Sequence, residues 1–189
     1  MYKRLIEALG IPVLIITDLD IERKEESEED TEEDRKSATI YQQIRCLDDH
    51  KTTNATIIDL YGKSDISAIS NHIEKNNLYL AYQGKINGYY ATSFEEAFIL
   101  TNYDNALANE LLKELKPQIY KSIVGKIPKY EKNKENSYKW QRKLEKSKGE
   151  FASKLLYKIV NEELEENLPK LPQYISDGLD WLEEKLGGN

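Results

Sequence analysis

The feature that most constrains this chain is a short apolar run, Ile11-Pro-Val-Leu-Ile-Ile16, that stops abruptly at Thr17-Asp-Leu-Asp20. An unbroken apolar stretch of this length, without alternation, reads as a strand covered on both faces, the kind found in parallel sheets. Before it, residues 2–9 read as the end of a helix, with Leu5, Ile6 and Leu9 on one face and Gly10 as the stop. We therefore expect an α/β fold, a parallel sheet flanked by helices, with 11–16 as a central strand. A helix feeding a buried strand is an odd opening for such a domain, and leads us to expect a further element upstream. In open α/β sheets the ligand site lies at the carboxyl ends of the strands. Alternate residues of an extended segment point the same way. Asp18 and Asp20 are thus placed to aim two carboxylates at one cation, and two such groups repel unless a metal or a proton relieves them. The plainer alternative is a turn whose Asp side chains cap the next element.

The rest of the chain alternates helical and extended signals. Residues 22–36 are almost wholly charged and read as a mobile acidic loop beside the carboxylate pair. Residues 54–60 fit a short strand or the start of a helix, and 66–76 a helix. Residues 78–82 are β-prone, 84–88 read as a turn, and 89–92 as a short edge strand. Ser93-Phe-Glu-Glu96 fits the capping box, in which a Ser side chain and a Glu three residues on satisfy each other's free N–H groups. A helix is expected over 94–100 and another over 105–115. The Asn- and Lys-rich stretch 117–136 reads as a loop or irregular arm. Ser147-Lys-Gly-Glu150 is a second capping-box candidate, opening an amphipathic helix with Phe151, Leu155, Leu156, Ile159 and Val160 inward. Pro169 and Pro172 break the chain before a last helix over 174–186. We divide the chain into an α/β core (1–115), a basic arm (116–148) and C-terminal helices packing on the core (149–189).

Composition limits the chemistry. Two histidines and the single Cys46 exclude an ordinary structural zinc site and an internal disulfide. Any metal would sit on carboxylates, which favours Mg²⁺, Mn²⁺ or Ca²⁺. With one cysteine, no signal-peptide pattern and no apolar run near the roughly 18 residues of a membrane span, a cytoplasmic location is expected and a membrane partner is not. The net charge of −7 hides an asymmetry, since 113–148 holds twelve Lys or Arg against four Glu. That segment, with Tyr120, Tyr130, Tyr138 and Trp140, reads either as a solvated face or as a surface that tracks phosphates and stacks bases.

Four segments, in order, carry a resemblance. Leu5 to Asp20 resembles the D-x-D strand of the TOPRIM domain in OLD-family (overcoming lysogenization defect) ATP-dependent endonucleases. Thr92-Ser-Phe-Glu-Glu-Ala-Phe98 resembles that family's S-F-E-x-A-F helix start. Ser147-Lys-Gly-Glu-Phe-Ala152 resembles its K-x-x-F-A motif, and Tyr174-Ile-Ser-Asp-Gly-Leu-Asp-Trp-Leu182 its closing helix. The resemblance implies a TOPRIM-like, Rossmann-like parallel sheet with a C-terminal helical extension. It also implies a metal-dependent nuclease that hydrolyses DNA phosphodiester bonds with Mg²⁺ or Mn²⁺. Asp18, Asp20 and Glu95 would bind metal, and Lys148 would be the catalytic cation near the scissile phosphate. Glu96 is an alternative metal ligand, although its capping-box position gives it a structural duty that Glu95 lacks. Lys148 falls in the first turn of its helix, where the macrodipole does not favour a cation. An ATPase domain or subunit is the partner implied besides DNA, and a homodimer is left open.

The family also has an earlier strand ending in a catalytic Glu followed by Gly. No Glu-Gly follows a strand upstream of Asp18, and no Walker A pattern is present. The expectation is therefore an N-terminally incomplete domain that binds metal weakly and cuts DNA poorly by itself. Two other readings compete. A haloacid-dehalogenase-like phosphatase also uses D-x-D, but the position four residues after its nucleophilic Asp holds Thr or Val, and here it is Glu22. A degenerate TOPRIM module would bind DNA or a protein partner without cutting.

Overall fold

The structure, a computed structural model, describes residues 6, 8–22 and 43–187. Most of the acidic run and most of the opening helix lie outside the described residues. Strand β1 (Val13–Ile16) runs parallel to β3 (Leu78–Ala81), and β2 (His72–Lys75) runs antiparallel to it, giving the order β1-β3-β2. A separate hairpin pairs β4 (Lys85–Ile86) with β5 (Tyr89–Tyr90). Eight α-helices are described: α1 (Ala55–Tyr61), α2 (Phe94–Thr101), α3 (Ala106–Leu115), α4 (Pro117–Val124), α5 (Glu131–Glu135), α6 (Ser137–Leu144), α7 (Lys148–Asn161) and α8 (Gln173–Gly187).

The sheet departs from expectation in two ways. It is mixed, because β2 and β3 are joined by Asn76-Asn77 alone, and so tight a link forces antiparallel pairing. Asn76 takes a left-handed φ of 53°, which Asn tolerates in such turns. The helix expected over 66–76 is therefore a loop followed by this strand. Second, β3 is the central strand. Among the described residues β1 pairs with β3 alone, and Ile11 and Ile16 are exposed. Both faces of β1 are nonetheless covered. Val13 and Ile15 pack with Leu19, Ile57, Leu60 and Leu80, while Leu14 packs with Tyr79, Ala81 and Trp181.

Strand β3 divides its side chains by the two-residue period of a strand. Leu78 and Leu80, continued by Tyr82, face one apolar cluster; Tyr79 and Ala81 face the other. Helix α8 covers the second face through Gly178, where a Cβ would lie 2.7 Å from Leu14 Cδ1 and 3.3 Å from Ala81 Cβ. That close approach lets Tyr174, one turn earlier, reach the carboxyl end of β3.

The stretch read as a loop over 117–136 is helical. Pro117 opens α4, where its missing N–H costs nothing. Trp140, Leu144, Phe151 and Leu155 then build one core with Phe98, Leu107, Leu111 and Leu112. The inward face of α7 is narrower than expected: Phe151 and Leu155 are buried, but Leu156 and Val160 are 62% and 72% exposed. The capping box at 147–150 does not form. Ser147 Oγ makes no cap bond and accepts instead from Lys116 Nζ at 2.7 Å.

Candidate functional site

The turn that follows β1 is fixed by hydrogen bonds on every side. Leu19 is fully buried and anchors it. The Leu19 N–H donates to Gln83 Oε1 at 2.5 Å, and its carbonyl accepts from Thr52 Oγ1 at 2.6 Å. The Asp20 N–H donates to the Thr92 carbonyl at 3.1 Å, and the Asp20 carbonyl accepts from the Thr53 N–H at 3.0 Å. Asp20 takes a left-handed φ of 46°, so the D-x-D segment is a turn and not an extended continuation of the strand. Even so, the turn brings both carboxylates to one cavity.

That cavity has a volume near 440 Å³ and is lined by Asp18, Asp20, Thr53, Ser93, Arg142 and Lys148, among others. Its walls come from the strand-end turn, the start of α2, and the α6–α7 region. Burial is the largest influence on the Asp18 carboxyl and pushes its pKa above the ordinary carboxylate value. The hydrogen bond from Gln83 opposes this, Asp20 reinforces it, Lys148 opposes it and Glu95 reinforces it.

The two glutamates at the start of α2 occupy different environments. Glu96 is fully buried, its Oε2 accepting from the Thr92 N–H at 3.0 Å and Thr92 Oγ1 at 3.1 Å, its Oε1 from Ser137 Oγ at 3.0 Å. Half of the expected capping box exists here, displaced by one residue: Glu96 reaches back to Thr92, and Ser93 makes no side-chain cap bond. Glu95 is 6% exposed, and its Oε2 has no hydrogen-bond partner. Lys148 Nζ lies 3.3 Å from that oxygen, near enough for charge attraction but not aligned as a hydrogen bond. Lys148 is the first residue of α7 and its side chain is 46% exposed. Ser93 Oγ is likewise buried without a partner, and Ser93 lines the cavity.

The structure thus gathers Asp18, Asp20 and Lys148 around one cavity with Glu95 paired to Lys148, and it holds Glu96 inside the fold. Among the described residues, no three His, Cys, Asp or Glu side chains are grouped closely enough to enclose a metal ion as they stand. The donors present are hard oxygens, which suit Mg²⁺ or Mn²⁺. Two buried oxygens among the described residues, on Ser93 and Glu95, lack a hydrogen-bond partner.

Sequence reasoning missed Gln83, Asn54 and Ser93. Gln83 directly follows the buried Leu78-Tyr-Leu-Ala-Tyr82 stretch, so the strand-end rule that singled out Asp18 points to it as well. Asn54 is visible as the N-cap of α1, since its Oδ1 accepts from the Thr56 and Ile57 N–H groups. Its contacts with the D-x-D turn are long-range and left no local trace.

No family model matches the chain, and no solved structure matches it at a significant level. The chain is similar to Endonuclease GajA of Bacillus cereus (strain HuB5-5), with 48% identity over 190 residues, covering 100% of this chain and 26% of that protein. The chain therefore spans about a quarter of the length of the curated relative it matches, and the similarity relates it to a nuclease. No helix among the described residues is long and apolar enough to cross a membrane.

Proposed function

We propose that this chain is the TOPRIM-like nuclease part of an OLD-family ATPase–nuclease, hydrolysing DNA phosphodiester bonds with Mg²⁺ or Mn²⁺. The observation that carries this reading is the shared cavity: Asp18, Asp20 and Lys148 line it, and Glu95 stands against Lys148. In this reading Asp18, Asp20 and Glu95 hold the cation, and Lys148 offsets charge at the scissile phosphate. Glu96, with both oxygens already engaged, holds the start of α2 in place. The bound ion would polarise the phosphate and acidify a water. Arg142 and Glu145, 3.9 Å apart as an ion pair, also line the cavity. An ATPase domain or subunit and DNA are the partners this reading carries.

A second reading, a module that binds DNA or a partner protein without cutting, draws on one observation. The carboxylates of the described residues are not assembled as a closed metal group. The three acidic side chains of the site supply ligands for one ion, whereas two-metal cleavage needs a second set. Little cutting by the isolated chain is therefore expected.

The test is a plasmid-nicking assay with Mn²⁺, run on this chain alone and on a longer polypeptide that restores the rest of the relative's length. The proposal expects nicking by the longer polypeptide, abolished by Asp18→Ala, with little by the isolated chain. Cleavage by the longer polypeptide that survives Asp18→Ala would overturn the site. Robust cleavage by the isolated chain, lost in Asp18→Ala, would show that the site is complete within it.

A further inference from the structure

We propose that Gln83 is a positioning residue that fixes the Asp18 carboxylate in its binding orientation before any cation arrives. The proposal rests on the metal-site reading above and adds a residue to it. Gln83 is 1% exposed, and all of its polar capacity is directed at the site. Its Oε1 accepts from the Leu19 N–H at 2.5 Å. Its Nε2 donates to Asp18 Oδ1 at 2.7 Å and to the Tyr174 hydroxyl at 3.2 Å.

The chemistry of the partners fixes which end of the amide is which. A backbone N–H can only donate, so the oxygen must face Leu19; an ionised carboxylate can only accept, so the NH₂ must face Asp18. A flipped amide would lose both bonds. Gln83 therefore grips the turn at two points, the Leu19 backbone and the Asp18 side chain. One carboxylate oxygen of Asp18 is engaged, and the other is left for a ligand in the cavity.

Asn54 does the same for the other aspartate from the opposite side. Its Nδ2 donates to Thr17 Oγ1 and to the Asp18 carbonyl, each at 2.8 Å, and lies 3.2 Å from Asp20 Oδ2. That amide also caps α1 through its oxygen, so a cap would account for part of its presence. Gln83 has no such alternative duty. It caps no helix, it lies two residues beyond the end of β3, and burying an amide is costly unless its bonds are made. Tyr174, carried by α8, closes the set.

A group that orients a metal-binding side chain typically changes metal affinity by about 10–100-fold when removed. The experiment uses the whole chain and has one arm without metal and one with it. Without metal, the Asp18 side-chain rotamer is read from its Hα–Hβ couplings by NMR. With Mn²⁺, affinity is read from the free-ion signal by electron paramagnetic resonance. The variants are Gln83→Leu, which removes all three bonds at similar volume, and Gln83→Glu, which keeps the acceptor for Leu19, removes the donor to Asp18 and Tyr174, and sets a second carboxylate beside Asp18. Tyr174→Phe deletes the remaining partner and leaves Asp18 untouched.

Wild type and Tyr174→Phe are expected to show one Asp18 rotamer, and both Gln83 variants an averaged one. Mn²⁺ affinity is expected to fall about tenfold or more in Gln83→Leu and less than about twofold in Tyr174→Phe. A single retained rotamer in both Gln83 variants overturns the proposal. So does an averaged rotamer with Mn²⁺ affinity unchanged in Gln83→Leu. If Gln83→Leu does not fold, Gln83→Glu decides the rotamer arm. Should Asp18→Asn bind Mn²⁺ as well as wild type, the cation reading has failed, while the metal-free arm still judges Gln83 by itself.

Discussion

Asp18 is held where its charge is disfavoured, and that has a measurable cost in stability. Its carboxyl is pushed up from the ordinary value of 3.8, chiefly by burial. The folded chain therefore binds this proton more tightly than the unfolded chain. Its contribution to stability is fully present below about pH 3.8 and is lost as pH rises through the raised folded value. Asp18→Asn, which removes the charge and keeps the acceptor for Gln83, is expected to stabilise the metal-free chain at pH 7. Because solvent still reaches the group, the gain should be about a few tenths of a kcal/mol. It should vanish near pH 3.5; urea denaturation at the two pH values checks this. The reverse case is Asn133, which is fully buried and joins three partners: its Nδ2 donates to Asn109 Oδ1 at 2.7 Å and to the Tyr103 carbonyl at 3.4 Å, and its Oδ1 accepts from Trp140 Nε1 at 3.0 Å. Asn133→Ala leaves a buried indole N–H and a buried carbonyl with fewer partners. It should cost roughly 2–4 kcal/mol in the same measurement, without affecting Mn²⁺ binding.

At the scale of elements, the outcome turns on which side chains each helix buries. Helix α7 buries Phe151 and Leu155 and turns Leu156, Tyr157 and Val160 outward. Phe151→Ala should therefore cost about 3–5 kcal/mol, because Phe151 is 1% exposed and packs edge-on against Phe98 at 5.6 Å. Val160→Ser should shift stability by less than about 0.5 kcal/mol. Thermal or urea unfolding of the two variants side by side tests the assignment. The apolar pattern of 151–160 marked a helix but not the width of its buried face. The five positions expected inward fit a wide stripe equally well, and only the position of α3 narrows it. Conversely, β1 was legible from its unbroken apolar run, α2 from its capping-box residues and α3 from its helical pattern, while 54–60 stayed open between a strand and the helix start that α1 proves to be. The helix expected over 66–76 failed because Asn76-Asn77 was not weighed as a hairpin turn. The loop expected over 117–136 failed because Lys also fills the solvent face of short helices whose Ile123 and Val124 face the core, and because Asn133 is buried as a hydrogen-bonding residue.

For the molecule as a whole, the candidate site is a junction of distant segments: the turn after β1, the ends of β3 and α8 through Gln83 and Tyr174, the start of α2, and the start of α7. Asp18 and Asp20 were nameable from the sequence because they close an apolar strand, and Glu95 and Lys148 only through the motifs that resemble the endonuclease family. Gln83 and Asn54 were not, because their contacts with the turn span 65 and 36 residues of sequence and exist only once the sheet has formed. The sheet order was hidden for the same reason, since a strand's neighbours depend on connections that periodicity does not encode. We propose that this junction holds a divalent cation on the D-x-D turn. The most direct measurement is an anomalous difference map from a crystal of this chain soaked in Mn²⁺. A Mn²⁺ peak is expected in the cavity, with oxygens of both Asp18 and Asp20 within roughly 2.0–2.6 Å of it. A map with no peak at these carboxylates, or with Mn²⁺ bound only elsewhere on the acidic surface, would contradict it.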